Sequence, residues 1–361
     1  MKAVKKVFVA LSAILVWTAI PAVVANAVSI GQTCAKTTLG TRVSIRVNKK
    51  PVIVVCRNVA GRKKWIRAAV QTLATTTTTT STTSTTTTVP QPVISYTDVV
   101  DPVDPTLRTI TIDGLPPRKY YINVPGTYTP ETASPLIIGF HGLGGSPAIF
   151  RESSKIDIYA EERGMIAVYP VGYGPEFGVE TSWNAGLCCG LANLNELDDV
   201  KFSEAIIDSV SSKYNIDKTR IWAVGFSNGG MLSYQLACEL SDKITAIGVG
   251  AASLMGKTCD ADNPVSIIHL HGATDAKVLF NGSGFLNTRD VVSNVTTVNA
   301  KFGCSDVSGS LAKIAGQSDW KWVCPNGVDV QVIKYDGQGH DWTFAWTKEV
   351  IKFLFAHPRT Q

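Results

Sequence analysis

The sequence predicts an α/β domain built on a mostly parallel central sheet, preceded by a small, disulfide-stapled, β-rich module. Three observations carry this. Six short apolar runs (Pro135–Phe140, Met165–Tyr169, Ile221–Val224, Ile244–Gly250, Val265–Leu270 and Val330–Tyr335) alternate with helical patterns, as a parallel sheet with crossover helices requires. An abrupt compositional break separates them from the N-terminal part, because residues 75–88 are threonine and serine alone. The eight cysteines form an even set, with two before that break and six after it.

Taken in chain order, Lys2, Lys5 and Lys6 precede an apolar run, Val7 to Val24, and Ala25-Asn26-Ala27 is a small-x-small cleavage site. Residues 1–27 are therefore expected to be a signal peptide, leaving no membrane span after cleavage. The run could almost cross a bilayer as an anchor, but Pro21 interrupts it. Residues 28–74 form the small module and residues 75–105 a threonine-rich, then proline-rich linker, extended and a candidate for O-glycosylation. Residues 106–361 suit one large α/β domain. Of the 34 Lys and Arg, 13 lie in the first 74 residues, which carry no Asp or Glu; the rest holds 21 against 29 acids. A basic block favours polyanions. For an exported chain that points to an anionic cell-surface polymer through residues 28–74, and away from nucleic acid. Export also makes disulfides the expected use of the cysteines. Cys34 with Cys56 and Cys304 with Cys324 are the natural local pairs, leaving Cys188 and Cys189 for Cys238 and Cys259 in either order. No histidine has zinc-finger spacing to these cysteines, so no metal is expected.

Chemistry concentrates in Gly225-Phe226-Ser227-Asn228-Gly229, placed where the strand ending at Val224 meets a helical run from Met231 to Leu240. A G-x-S-x-G at a strand-to-helix junction is a nucleophile elbow, which exposes the serine hydroxyl at the sheet edge above a helix N-terminus. A serine nucleophile needs a base and the base an orienting acid. Among five histidines, His340 sits in a glycine-bearing loop after the strand Val330–Tyr335 and before a helical pattern, Ala345 to Phe355. Asp275, just past the strand Val265–Leu270, would lie at the sheet edge where open α/β sheets bind ligands. Asp290 and Asp306 follow no such clear strand. His141-Gly142-Leu143-Gly144-Gly145 after the strand Pro135–Phe140 would supply one oxyanion donor, the amide of Leu143, and the elbow a second, the amide of Asn228. His141 reads as a structural residue of that loop.

With these pieces in order, the chain from about Leu107 to Phe355 resembles the secreted polyhydroxybutyrate-depolymerase-like esterases, a group that includes feruloyl and acetylxylan esterases. The resemblance lies in Arg118-Lys119-Tyr120-Tyr121-Ile122-Asn123-Val124-Pro125, Phe140 to Gly145, Val168-Tyr169-Pro170, Ser182-Trp183-Asn184-Ala185-Gly186-Leu187-Cys188-Cys189-Gly190, Asp198-Asp199-Val200, the elbow, His271 to Asp275 and Gly339-His340. The Trp-Asn-Ala-Gly-x-Cys-Cys-Gly segment is the most distinctive. The resemblance implies an α/β-hydrolase fold, carboxylic-ester hydrolysis without cofactor, and Ser227, Asp275 and His340 as the triad. Family members often carry proline after the acid and after the tryptophan that follows the histidine, where this chain has Ala276 and Thr343. Trp183 and Trp342, beside the predicted site loops, would stack on an aromatic or sugar group of the substrate. Trp320 and Trp322 are expected to pack on the Cys304–Cys324 segment. Feruloyl or acetyl esters on polysaccharide and polyhydroxyalkanoate oligomers are the expected substrates. A serine peptidase and a catalytically silent surface-binding protein are the alternatives, and reaction of Ser227 with a fluorophosphonate separates the silent one.

Overall fold

The computed structural model describes three N-terminal strands and residues 94–359 apart from 176–179, 256–258, 260, 285, 287, 306–312, 315 and 326. The chain divides into two compact units, Met1–Val89 and Pro90–Gln361. In the first, β1 (Arg42–Val47), β2 (Lys50–Val59) and β3 (Arg62–Arg67) form an antiparallel sheet in that order. The expected signal peptide, the threonine tract and the Cys34–Cys56 pair lie outside the described residues. Among the described residues, no helix is long and apolar enough to cross a membrane.

The second unit is built on one sheet of eleven strands. Chain order runs β4 (Tyr96–Val100), β5 (Leu107–Ile112), β6 (Arg118–Asn123), β7 (Ser134–Phe140), α1 (Pro147–Ser154), α2 (Ile156–Arg163), β8 (Ile166–Pro170), α3 (Gly190–Leu194) and α4 (Asp199–Lys213). It continues with β9 (Ile216–Phe226), α5 (Asn228–Glu239), β10 (Ala246–Gly250), β11 (Ser266–Gly272), α6 (Val291–Lys301), β12 (Lys313–Ile314), β13 (Gln317–Val323), β14 (Asp329–Tyr335) and α7 (Phe344–Ala356). Across the sheet the order is β12-β13-β14-β11-β10-β9-β7-β8-β6-β5-β4. The central strands β8, β7, β9, β10, β11 and β14 pair in parallel, and the flanking strands are antiparallel. The six parallel strands are the six apolar runs of the sequence. Strands β7, β8, β10 and β11 are buried along their whole length, which is why they read as continuous apolar runs without alternation. Two apolar layers cover the sheet: α4, α5 and α6 contribute to one, and α1, α2 and α7 to the other.

The linker expected over residues 75–105 does not reach its predicted end. Tyr96–Val100 pairs with β5 as the edge strand β4, and Asp98 accepts a hydrogen bond from Tyr120 Oη at 2.6 Å. Prolines at 102 and 105 and the exposed face of the strand gave it the composition of a linker. The cysteine pairing also differs from the cross-links expected between 188/189 and 238/259. Cys238 is bonded to Cys259, Cys304 to Cys324 as expected, and Cys188 to its neighbour Cys189. The reason is the length of α5. Cys189 Sγ lies 3.7 Å from Asn228 Nδ2, at the start of the helix. Cys238 stands ten residues further along, about 15 Å away at helical rise, beyond the reach of a disulfide.

Candidate active site

The nucleophile elbow forms because β9 and α5 meet with almost no room between them. Ser227 has φ 54° and ψ −121°, a left-handed conformation that costs a non-glycine residue about 1–3 kcal/mol. A Cβ on Gly225 would run into the Gly229 carbonyl, and one on Gly229 into the carbonyl of Phe140, so both ends of the pentapeptide must be glycine. The Ser227 amide donates to Gly250 O at 2.9 Å and its carbonyl accepts from Met231 N at 2.9 Å, starting the helix.

Ser227, Asp275 and His340 come together from the ends of β9, β11 and β14. His340 Nε2 lies 3.0 Å from Ser227 Oγ, and His340 Nδ1 lies 2.7 Å from Asp275 Oδ2. The carboxylate accepts only, so Nδ1 carries the proton and Nε2 is free to accept from the serine hydroxyl. The His340 loop is stitched to the acid loop: Gln338 O accepts from Thr274 N at 3.0 Å and from Thr274 Oγ1 at 2.8 Å, and Ala273 N donates to Tyr335 O at 2.8 Å. Asp275 is buried, and its Oδ1 accepts from Lys277 N at 2.8 Å and Val278 N at 2.9 Å. Burial pushes this carboxyl up, but hydrogen bonds from His271, His340 and the two amides outweigh it and hold it well below the usual carboxylate range.

The loop after β7 sits directly against the nucleophile, since a Cβ on Gly142 would lie 3.4 Å from Ser227 Cβ. His141 fastens it. Its Nδ1–H donates to Gly142 O at 2.8 Å, and its Nε2 accepts from Gly172 N at 3.1 Å. Burial pulls His141 down to about 4, against the partial support of the Gly142 carbonyl and with a small push from Arg118, so the ring is neutral at working pH. Asn228, first residue of α5, has no preceding helical carbonyl for its amide. Its side chain clamps Trp183, accepting from the Trp183 amide at 2.7 Å and donating to the Trp183 carbonyl at 3.0 Å. Among the described residues, no group of three or more His, Cys, Asp or Glu could hold a metal ion.

Residues 116–356 match the sequence profile of the Esterase family. The chain belongs to that family. It is 32% identical over 170 residues to feruloyl esterase B of Piromyces equi, covering 46% of this chain and 30% of that protein. It is 25% identical over 243 residues to the bifunctional acetylxylan esterase/xylanase XynS20E of Neocallimastix patriciarum, covering 66% of this chain and 33% of that one. It thus spans about a third of the length of either relative. Feruloyl esterase C of Emericella nidulans is 28% identical over 238 residues, 66% of this chain and 81% of its own. Among solved structures, acetyl xylan esterase from Aspergillus awamori superposes with a TM-score of 0.51 at 14% identity, over 73% of this chain and 99% of that one. The fold is that of the α/β-hydrolases.

In this Esterase-family chain the two tryptophans expected to bind substrate face inward instead. Trp183 is 0% exposed, packs edge-on against Phe140 and donates from Nε1 to His141 O at 2.8 Å. Trp342 is 6% exposed, packs on Phe150 and donates to Thr347 Oγ1 at 2.8 Å. Both lie next to site loops in sequence, but their large apolar faces fill the core beneath those loops. Trp322 is likewise buried, whereas Trp320 is partly exposed beside Phe280. The apolar groups exposed near the elbow are leucines instead: Leu143 is 53% exposed and its Cδ1 borders Gly190, next to Leu191. The sequence alone assigns no role to Arg118, Asp199, His269 or His271. Arg118 and Asp199 form a fully buried ion pair at 3.0 Å, and Asp199 Oδ2 accepts from Asn184 N at 2.7 Å, anchoring the Trp183 segment. Only the quoted motifs containing these two residues could have drawn attention to them.

Proposed function

We propose that this chain is a secreted serine carboxylic-ester hydrolase acting through an acyl-enzyme. One observation carries the reading: Ser227, His340 and Asp275 are joined by hydrogen bonds of 3.0 and 2.7 Å at the elbow of an Esterase-family chain. Ser227 Oγ attacks the ester carbonyl while His340 Nε2 takes its proton. The amides of Leu143 and Asn228 hold the oxyanion. The carbonyl–oxygen bond to the alcohol breaks as His340 returns the proton to the leaving oxygen. Water, deprotonated by the same nitrogen, then releases the acid and regenerates Ser227. Asp275 keeps the imidazole in the productive tautomer and stabilises its charged form.

Feruloyl or acetyl esters on polysaccharide are the proposed substrates, in line with the names of the relatives. Exposed Leu143 beside the nucleophile suits an apolar acyl or aryl group, and hydroxyalkanoate oligomers fit it too. Export rests on the N-terminal basic, apolar and small-x-small pattern, and attachment to an anionic surface polymer on the basic residues of 28–74. Full-length protein and Ser227→Ala, assayed on p-nitrophenyl acetate, methyl ferulate and hydroxybutyrate oligomers, test the activity. Turnover should vanish in the variant, with ferulate or acetate the best ester; activity that survives the substitution would reject the reading. A chain lacking 28–74 should lose cell association, and unchanged association would remove the attachment proposal.

A further inference from the structure

Behind Asp275 runs a chain of buried polar groups that the reaction above does not use. His269 and His271 stand two apart on β11, so their rings project to one face of the sheet. Both are wholly buried, with parallel rings 5.2 Å apart. Tyr234, buried on α5, places its hydroxyl 2.7 Å from His269 Nδ1. His269 Nε2 lies 2.9 Å from His271 Nδ1, and His271 Nε2 lies 2.7 Å from Val278 O and 3.4 Å from Asp275 Oδ2.

One carbonyl sets the direction of the whole chain. Val278 O can only accept, so a neutral His271 carries its proton on Nε2 and its Nδ1 is an acceptor. That acceptor takes the Nε2–H of His269, whose Nδ1 then accepts from the Tyr234 hydroxyl. Burial holds His269 well below the ordinary histidine range, so it stays neutral. The chain ends on the acid itself. Val278 gives its amide to Asp275 Oδ1 while its carbonyl is held by His271, so one residue transmits the ring's position to the carboxylate. Asp275 Oδ2 meets two N–H groups, the near one of His340 and the far one of His271.

The geometry points to His271 as a positioning residue for Asp275, with His269 and Tyr234 fixing its tautomer. This rests on the triad reading proposed above. Its effect belongs to the proton-transfer steps, since a carboxylate turned off His340 no longer presents Nε2 to Ser227, while Leu143 and the elbow are untouched.

The test compares His271→Phe, which keeps a ring but no N–H, with His271→Gln, whose amide can donate to Val278 O. In the full chain, His271→Phe should lower kcat by about tenfold, the scale of one hydrogen bond to a charged group, with KM within twofold. His271→Gln should recover most of the loss. Wild-type kcat in His271→Phe, or equal losses in both variants, would overturn the inference. Imidazole 15N spectra of the unmodified protein give a readout that needs no folded variant. They should show the proton on Nε2 of both His269 and His271, and a Nδ1–H at either position would overturn it equally. Ser227→Ala separates the two layers: activity there rejects the triad, whereas an inactive Ser227→Ala beside a fully active His271→Phe rejects this inference alone.

Discussion

Arg118→Met removes one half of the buried ion pair that anchors the Trp183 segment and leaves the other half stranded. Asp199 is 1% exposed; apart from Arg118 Nη1 at 3.0 Å, among the described residues its side chain accepts only the Asn184 amide, at 2.7 Å. Methionine keeps the stem against Phe202 but loses the charge, the hydrogen bond to Asp199 and that to Val171 O. Stranding a buried charge in this way costs about 3–5 kcal/mol, or roughly 6–20 °C in Tm for a domain of this size. The sign with pH follows from Asp199 itself. Burial raises its pKa despite the attraction of Arg118, so the folded state binds the proton more tightly than the unfolded chain. Stability from this group is therefore present at low pH and declines as pH rises through the raised pKa. Removing Arg118 raises that pKa further, so the deficit should be full at pH 8 and shrink on acidification toward pH 5. Urea unfolding followed by tryptophan fluorescence at both pH values measures it. The double variant Arg118→Met, Asp199→Leu should regain most of the lost stability, because an apolar pair leaves no stranded charge. A deficit below about 1 kcal/mol, or one unchanged between pH 8 and 5, would refute the argument.

Asp275→Asn should leave KM near wild type and lower kcat by about 10⁴-fold, as expected when the base is held in the wrong tautomer; steady-state kinetics on p-nitrophenyl acetate report it, and a loss under tenfold would contradict the role. Gly229→Ala drives a methyl into the Phe140 carbonyl and should abolish soluble, active protein, which expression at 18 °C and 30 °C would reveal. Cys238→Ser with Cys259→Ser opens a cross-link spanning 21 residues and should cost about 3 kcal/mol; calorimetry of the double variant checks it, and an unchanged Tm would count against a stabilising disulfide.

The parallel core was legible in the sequence because strands buried on both faces read as unbroken apolar runs, and each of the six runs became a strand within a few residues of its expected ends. Strand β9 starts earlier than predicted, at Ile216, since Asp217 to Arg220 masks its polar first half. The flanking antiparallel strands were less legible. In β4, exposed positions and nearby prolines dilute the pattern. Ser227, Asp275 and His340, which the structure brings together, could be singled out because local chemistry marks each: a glycine elbow, a carboxylate after a strand and a histidine in a glycine loop. Trp183 and Trp342 were misplaced because proximity in sequence to a loop does not tell which way a side chain turns. The Arg118–Asp199 pair joins residues 81 apart, and nothing local to either announces its partner. His269 and His271 read as members of a buried strand, and only the position of Val278 reveals that they end on the acid.

The central claim is that Ser227 is a nucleophile made reactive by His340 and Asp275. Incubation of the full chain with a fluorophosphonate, followed by intact mass and peptide mapping, tests it most directly. A single adduct on the peptide containing Ser227, formed quickly in the wild type and at least a hundredfold more slowly in His340→Ala, is the predicted result. No adduct on folded protein, an adduct on another serine, or equal rates in the two proteins would contradict it.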